Sequence, residues 1–124
     1  MAEGLVLNEN RNLVRRELIY YLKVTDRHTG QELGRLGDIH AEGMLILTPE
    51  PLSRQTVYKL FLELPKAMAQ EEGYKELPLQ AEALWSRPGP ALSNFHENGL
   101  RFLEMPIQAH KAIKRLTEVF AMPG

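Results

Sequence analysis

The chain has 124 residues, room for one hydrophobic core but not for two. With 44% hydrophobic residues, 25% charged residues and a net charge of -1, it reads as an ordinary globular protein. That balance excludes binding of a nucleic-acid polymer through bulk charge, so any anion site must be local. The lack of cysteine excludes disulfides, thiolate metal sites and cysteine nucleophiles.

Residues 1–16 show no clean hydrophobic period and read as a segment ahead of a single domain spanning 17–124. The first nine residues lack the basic and apolar regions of a signal peptide, and no apolar run approaches the ~20 residues of a membrane span. The default expectation is a cytoplasmic protein without membrane insertion. From 17 to 25, Leu18, Tyr20, Leu22 and Val24 alternate with Ile19, Tyr21, Lys23 and Thr25, which predicts a strand. Asp26-Arg27-His28-Thr29-Gly30 is turn chemistry, and 31–39 is the returning strand. Gly34 and Gly37 inside it suggest a bulge or a close backbone approach.

The segment Gly37-Asp38-Ile39-His40-Ala41-Glu42-Gly43 then feeds a short strand at 44–48. It reads as an exposed turn at a sheet edge, with Gly43 free to take a positive φ. Proline stops that strand at Pro49 and Pro51. Residues 57–64 alternate again, with Tyr58, Leu60, Leu62 and Leu64 on one face. Residues 66–76 form a polar excursion, read as a loop with a helical turn. A strand at 77–86 sets Leu79, Ala81, Ala83 and Trp85 inward, and Arg87-Pro88-Gly89-Pro90 is expected to end it. Trp85 reads more readily as core than as a stacking surface. The last strand is expected at 99–104. Pro106 then opens a helix whose apolar face carries Ile107, Ile113, Leu116 and Phe120, with Ala109, Ala112 and Val119 beside it.

Six strands and a terminal helix make a mainly all-β, antiparallel pattern, of a size that tends to close into a barrel and so lose its edges. The first hairpin carries a further consequence. Its turn is centred near Thr29, so partner positions sum to roughly 58 and Arg15 falls opposite Gly43. Arg11, Arg15 and Arg16 thus come back to the turn that carries Asp38, His40 and Gly43. Guanidiniums suit phosphate oxygens and stack on flat bases, while a carboxylate suits the N1–H and N2–H₂ edge of guanine. The constellation favours an anionic ligand with purine bases. The plainer reading leaves Arg15 and Arg16 solvated, or paired with Glu9, Glu17 or Glu42.

The histidines, His28, His40, His96 and His110, lack metal-ligand spacing, and no serine sits in a nucleophile elbow. The sequence therefore points to a binding module with no metal and no catalytic residues, not to an enzyme.

At this point the chain resembles a PilZ domain, the bacterial receptor domain for cyclic di-GMP. Arg11-Asn12-Leu13-Val14-Arg15 fits that family's Arg-x-x-x-Arg, and Asp38-Ile39-His40-Ala41-Glu42-Gly43 fits its [Asp/Asn]-x-Ser-x-x-Gly at the first and last positions. Trp85 at a strand end, Gly99-Leu100-Arg101-Phe102 and the closing helix fit as well. His40 stands where the family has serine. The resemblance implies a six-stranded antiparallel β-barrel with a C-terminal α-helix and cyclic di-GMP as ligand, with no other cofactor. It places Arg11, Arg15, Arg16, Asp38, His40 and Gly43 at the ligand. It further implies an adaptor whose N-terminal segment changes on binding and signals to a separate, unidentified protein. The alternative is a degenerate domain that does not bind the nucleotide and acts through protein contacts, in motility or surface-appendage regulation.

Overall fold

The computed structural model describes residues 22–121. Six strands form a closed antiparallel barrel: β1 (Lys23–Asp26), β2 (Glu32–His40), β3 (Gly43–Thr48), β4 (Val57–Glu63), β5 (Glu76–Pro88) and β6 (His96–Phe102). Helix α1 (Lys66–Glu72) joins β4 to β5, and α2 (Ile107–Ala121) follows β6. Around the barrel the order is β1-β2-β3-β6-β5-β4, and pairing of β1 with β4 closes it. The mainly β architecture with a C-terminal helix agrees with the sequence reading.

The first hairpin forms as its turn chemistry dictates. Asp26 Oδ1 accepts from the backbone N–H of His28 at 2.7 Å, and Gly30, at φ +77°, donates its own N–H to Asp26 O at 2.8 Å. Lys23 pairs with Arg35 and Val24 with Gly34, the register expected from a turn centred on Thr29. Residues 17–21 of the expected first strand lie outside the described residues. So do Arg11, Arg15 and Arg16, and with them the expected approach of the arginines to Gly43.

Period-2 alternation places Val24, Leu36, Ile46, Leu60, Leu62, Leu79 and Ala81 inside the barrel, all fully buried. Each such leucine or isoleucine contributes about 1.5–3 kcal/mol by leaving water. The pairing is irregular at three places: between Val24 and Thr25 against β2, in β2 between Leu36 and Asp38, and in β5 between Ala83 and Trp85. The last corrects the reading of Trp85. The extra residue at Leu84 shifts the face, so Trp85 emerges on the outside with 39% of its surface exposed, not in the core.

Other elements depart from expectation at their ends. β5 runs through Arg87 and Pro88, because Pro88 is its last residue, opposite His96. A proline at a strand end removes no ladder bond that the strand needs. β6 starts at His96, three residues before the expected Gly99, and stops at Phe102. The excursion after β4 contains a full helix, α1, stopped by Gly73 at φ +87°, whose N–H reaches Ala69 O at 2.9 Å. On α2 the buried face is Ala109, Ala112, Ile113 and Leu116, which packs on β2 and β5, whereas Ile107 is exposed. Phe120 lies beyond the described side chains. Arg115 of α2 ties the two helices together through Glu71 and Glu72.

The early start of β6 has a polar cause. Asn98 is fully buried. Its Nδ2 donates to Ile46 O at 3.1 Å and to Thr48 Oγ1 at 2.8 Å, and its Oδ1 accepts from Leu52 N at 3.1 Å. One satisfied amide thus pins β3, the β3–β4 connection and β6.

Gly43 serves a different purpose from the one the sequence suggested. Its φ is not positive. What excludes a side chain is the neighbouring strand, since a Cβ there would sit 2.2 Å from Leu100 O. Glycine is needed for close pairing of β3 with β6, where Gly43 faces Arg101.

Two outcomes are expected in urea unfolding. Asn98→Leu strands the Leu52 N–H and the Ile46 carbonyl and should cost about 2–3 kcal/mol. Gly43→Ala must push back the β6 backbone and should cost about 2–4 kcal/mol. A midpoint unchanged in either variant would refute the corresponding role.

Candidate functional site

The order β2-β3-β6-β5 lays out the site, because residues far apart in sequence become cross-strand neighbours on one outer face. At the turn the row is His40, Gly43, Arg101, Glu82. Next comes Asp38, Leu45, Gly99, Trp85, and then Arg35, Leu47, Glu97, Arg87. Their in-sequence neighbours Ile39, Met44, Ile46, Leu100 and Ala83 point into the core. The bulge beside Gly37 is what puts both Asp38 and His40 on the outside, with Ile39 buried between them.

The middle rows enclose a shallow cavity of about 440 Å³, lined among others by Asp38, His40, Gly43, Leu45, Trp85 and Arg101. Its floor is low because two of its positions are glycines. Gly99 has no room for a Cβ, which would lie 2.3 Å from the Trp85 indole. The ring therefore rests on the bare backbone of β6, the arrangement by which an aromatic covers a glycine across a strand pair. The Arg87 guanidinium lies 5.0 Å from the ring centroid.

At the turn, β2 ends at His40 and β3 begins at Gly43, so only Ala41 and Glu42 connect them. His40 Nδ1 accepts the backbone N–H of Glu42 at 3.3 Å. That bond belongs to the tautomer with its proton on Nε2, which makes the second nitrogen a donor. A short hydroxyl side chain makes the same i to i+2 contact in turns. Asp38 Oδ1 accepts from Ile39 N at 2.9 Å, and its second oxygen has no hydrogen-bond partner among the described residues.

The far wall carries two ion pairs. Arg101 Nη2 donates to Glu82 Oε1 at 2.5 Å, and Arg87 Nε to Glu97 Oε1 at 2.7 Å. The structure thus brings together three of the six sequence-predicted site residues, Asp38, His40 and Gly43. Arg11, Arg15 and Arg16 lie outside the described residues. Sequence reasoning gave no role to Leu45, Arg87, Gly99 or Arg101, and it placed Trp85 inside. The signal that could have found them is the pairing of a tryptophan strand with a glycine strand, which requires the β5–β6 register.

A second cavity, of about 430 Å³, opens between β5 and the start of α2, with Arg27 and Tyr74 in its wall. Burial, and secondarily the charge of Glu72, push the Tyr74 phenol above its usual pKa, while Gln108 acts in the opposite sense. It shares no residue with the motif-bearing face. Among the described residues no cluster of metal-ligating side chains occurs, and no helix is long and apolar enough to cross a membrane.

Solved structures with this fold share little sequence. The PilZ domain of YcgR from Escherichia coli, solved with c-di-GMP, is 14% identical, with a TM-score of 0.63 over 82% of this chain and 81% of that one. MrkH of K. pneumonia, solved as its c-di-GMP complex, is 16% identical, with a TM-score of 0.63 over 81% of this chain and 46% of that one. The Bacillus subtilis inhibitor of motility MotI/DgrA is 17% identical, with a TM-score of 0.57 over 79% and 44%. This chain therefore spans less than half the length of the MrkH and MotI/DgrA chains. No curated protein matches it in sequence. The profile of the PilZ domain matches residues 9–118, nearly the whole chain, and with this barrel and this turn the chain belongs to the PilZ domain family.

Proposed function

We propose that this domain is a receptor for cyclic di-GMP and acts as an adaptor, not as an enzyme. The observation that carries the reading is the row Asp38, Leu45, Gly99, Trp85. It sets a carboxylate with one oxygen unpartnered among the described residues, a flat apolar floor and an exposed indole in line across four strands. Three strand spacings make it roughly 14 Å long. The carboxylate suits the donor edge of guanine, and the indole offers a stacking face. His40 Nε2–H adds a donor at the turn.

Arg11, Arg15 and Arg16 supply the phosphate contacts on this reading, from an N-terminal segment at 1–16 that precedes a single domain at 17–124. Ligand binding draws that segment onto the barrel. Its ordering cost is offset by charge-assisted hydrogen bonds and stacking. The new surface then meets a separate protein partner. Such a ligand places the protein in the cytoplasm.

A second reading has its own support. Leu84 and Trp85 are both exposed on β5, an apolar pair suited to a protein surface, and His40 stands where the family motif has serine. Here the domain binds no nucleotide and regulates motility or an appendage through protein contacts.

Calorimetric titration with cyclic di-GMP, with cyclic di-AMP as control, separates the two. The receptor reading expects micromolar or tighter binding of the guanine ligand alone. Because the chain has one tryptophan, the fluorescence of Trp85 should change on binding. Arg15→Ala and Asp38→Ala should each lose at least about tenfold in affinity while the melting temperature stays put. Trp85→Ala should lose about tenfold, the worth of one base on one aromatic face. Absence of heat and of any emission change would reject the receptor reading, and gain of binding by His40→Ser would identify the histidine as the cause.

A further inference from the structure

Both arginines of the cavity wall are already engaged. Glu82 holds Arg101 across the β5–β6 ladder at 2.5 Å, and Glu97 holds Arg87 at 2.7 Å. The pairs are asymmetric in burial. The Glu82 side chain is 24% exposed and the Arg101 side chain 55%. The carboxylate is thus set into the sheet while the guanidinium reaches over the cavity. Arg101 is also the cross-strand neighbour of Gly43, on the motif turn, where no side chain stands between it and an incoming ligand.

We propose that Glu82 is a counter-ion gate on the nucleotide site. A phosphate entering the cavity takes Arg101 from Glu82, so affinity reflects the difference between these two acceptors. The inference rests on the receptor reading above, and it assigns the control of affinity at that site to a residue outside both sequence motifs. Two effects act in the same direction. The ion pair must be given up, which for a half-exposed pair is worth a factor of up to about five. The freed carboxylate then stays within reach of the phosphate and repels it. Glu97 is the poorer test of the same idea, because Arg87 also covers Trp85 and any change there disturbs the stacking surface.

The test is a double-mutant cycle on cyclic di-GMP binding, using Glu82→Gln, Arg101→Gln and the double variant in the full chain. Glutamine keeps the shape and an acceptor oxygen but not the charge. Glu82→Gln should bind about tenfold tighter than the natural protein at low salt, Arg101→Gln should bind more weakly, and the double variant should exceed Arg101→Gln only by the part due to repulsion, well under tenfold. Unchanged or weaker binding by Glu82→Gln, with the natural protein binding, overturns the gate alone. Equal tightening with and without Arg101 overturns it too, since the effect would then be general charge. Failure of the natural protein and Glu82→Gln alike overturns the receptor reading and the gate together.

Discussion

The close approach of β3 to β6 is the constraint on which the rest of the molecule depends. The two strands are remote in sequence, and their pairing turns two hairpin arrays into one closed barrel. It requires a bare backbone at Gly43, against the Leu100 carbonyl, and a satisfied amide at Asn98 further along the same ladder. The same contact sets the turn of one hairpin beside the wall of another, so stability and site share a single pairing. A domain of this size has little surplus stability, typically 5–15 kcal/mol. A substitution that weakens that seam therefore costs stability and disturbs the cavity together.

Much of this was legible in the residues. Strand alternation in β4, the proline stop after β3 and the Asp-to-Gly turn each act locally, and each reads as it folds. Even the register of the first hairpin follows from the centre of its turn. What resisted reading was non-local. The bulge at Leu84 is invisible to a period-2 pattern, because the pattern has no means of knowing which residue the partner strand will skip. Trp85 was therefore assigned to the wrong face. The start of β6 was missed because His96, Glu97 and Asn98 look like a loop. Only the buried partners of Asn98 explain why a polar residue sits inside the barrel. Gly43 was placed correctly for the wrong reason, since backbone freedom and lack of side-chain room leave the same letter in the sequence.

On the proposed reading His40 takes the place of a motif serine, and its size alone overstates the change. A serine in such a turn accepts a backbone N–H with its hydroxyl, and His40 does so with Nδ1. Using that nitrogen as acceptor commits the other to carry the proton, so the ring keeps one donor, as a serine hydroxyl does. The cost is bulk at the mouth of the cavity. The Nδ1 contact suits the short two-residue connection between β2 and β3.

The charges around the cavity bear on how a receptor of this kind would signal. Among the described residues Asp38, Glu42, Glu82 and Glu97 share this face with Arg35, Arg87 and Arg101, and each of these guanidiniums is already paired with a carboxylate. The described part of the face therefore has no spare positive charge for a dianionic nucleotide. On the proposed reading, that charge comes from Arg11, Arg15 and Arg16, so phosphate binding and docking of the N-terminal segment become one event. Neither is favourable alone: the segment gains little by approaching an unliganded wall, and the ligand meets net repulsion without the segment. Coupling of this form makes the response of the segment depend on the ligand's charge, while selectivity for guanine stays with Asp38 and Trp85 on the barrel itself.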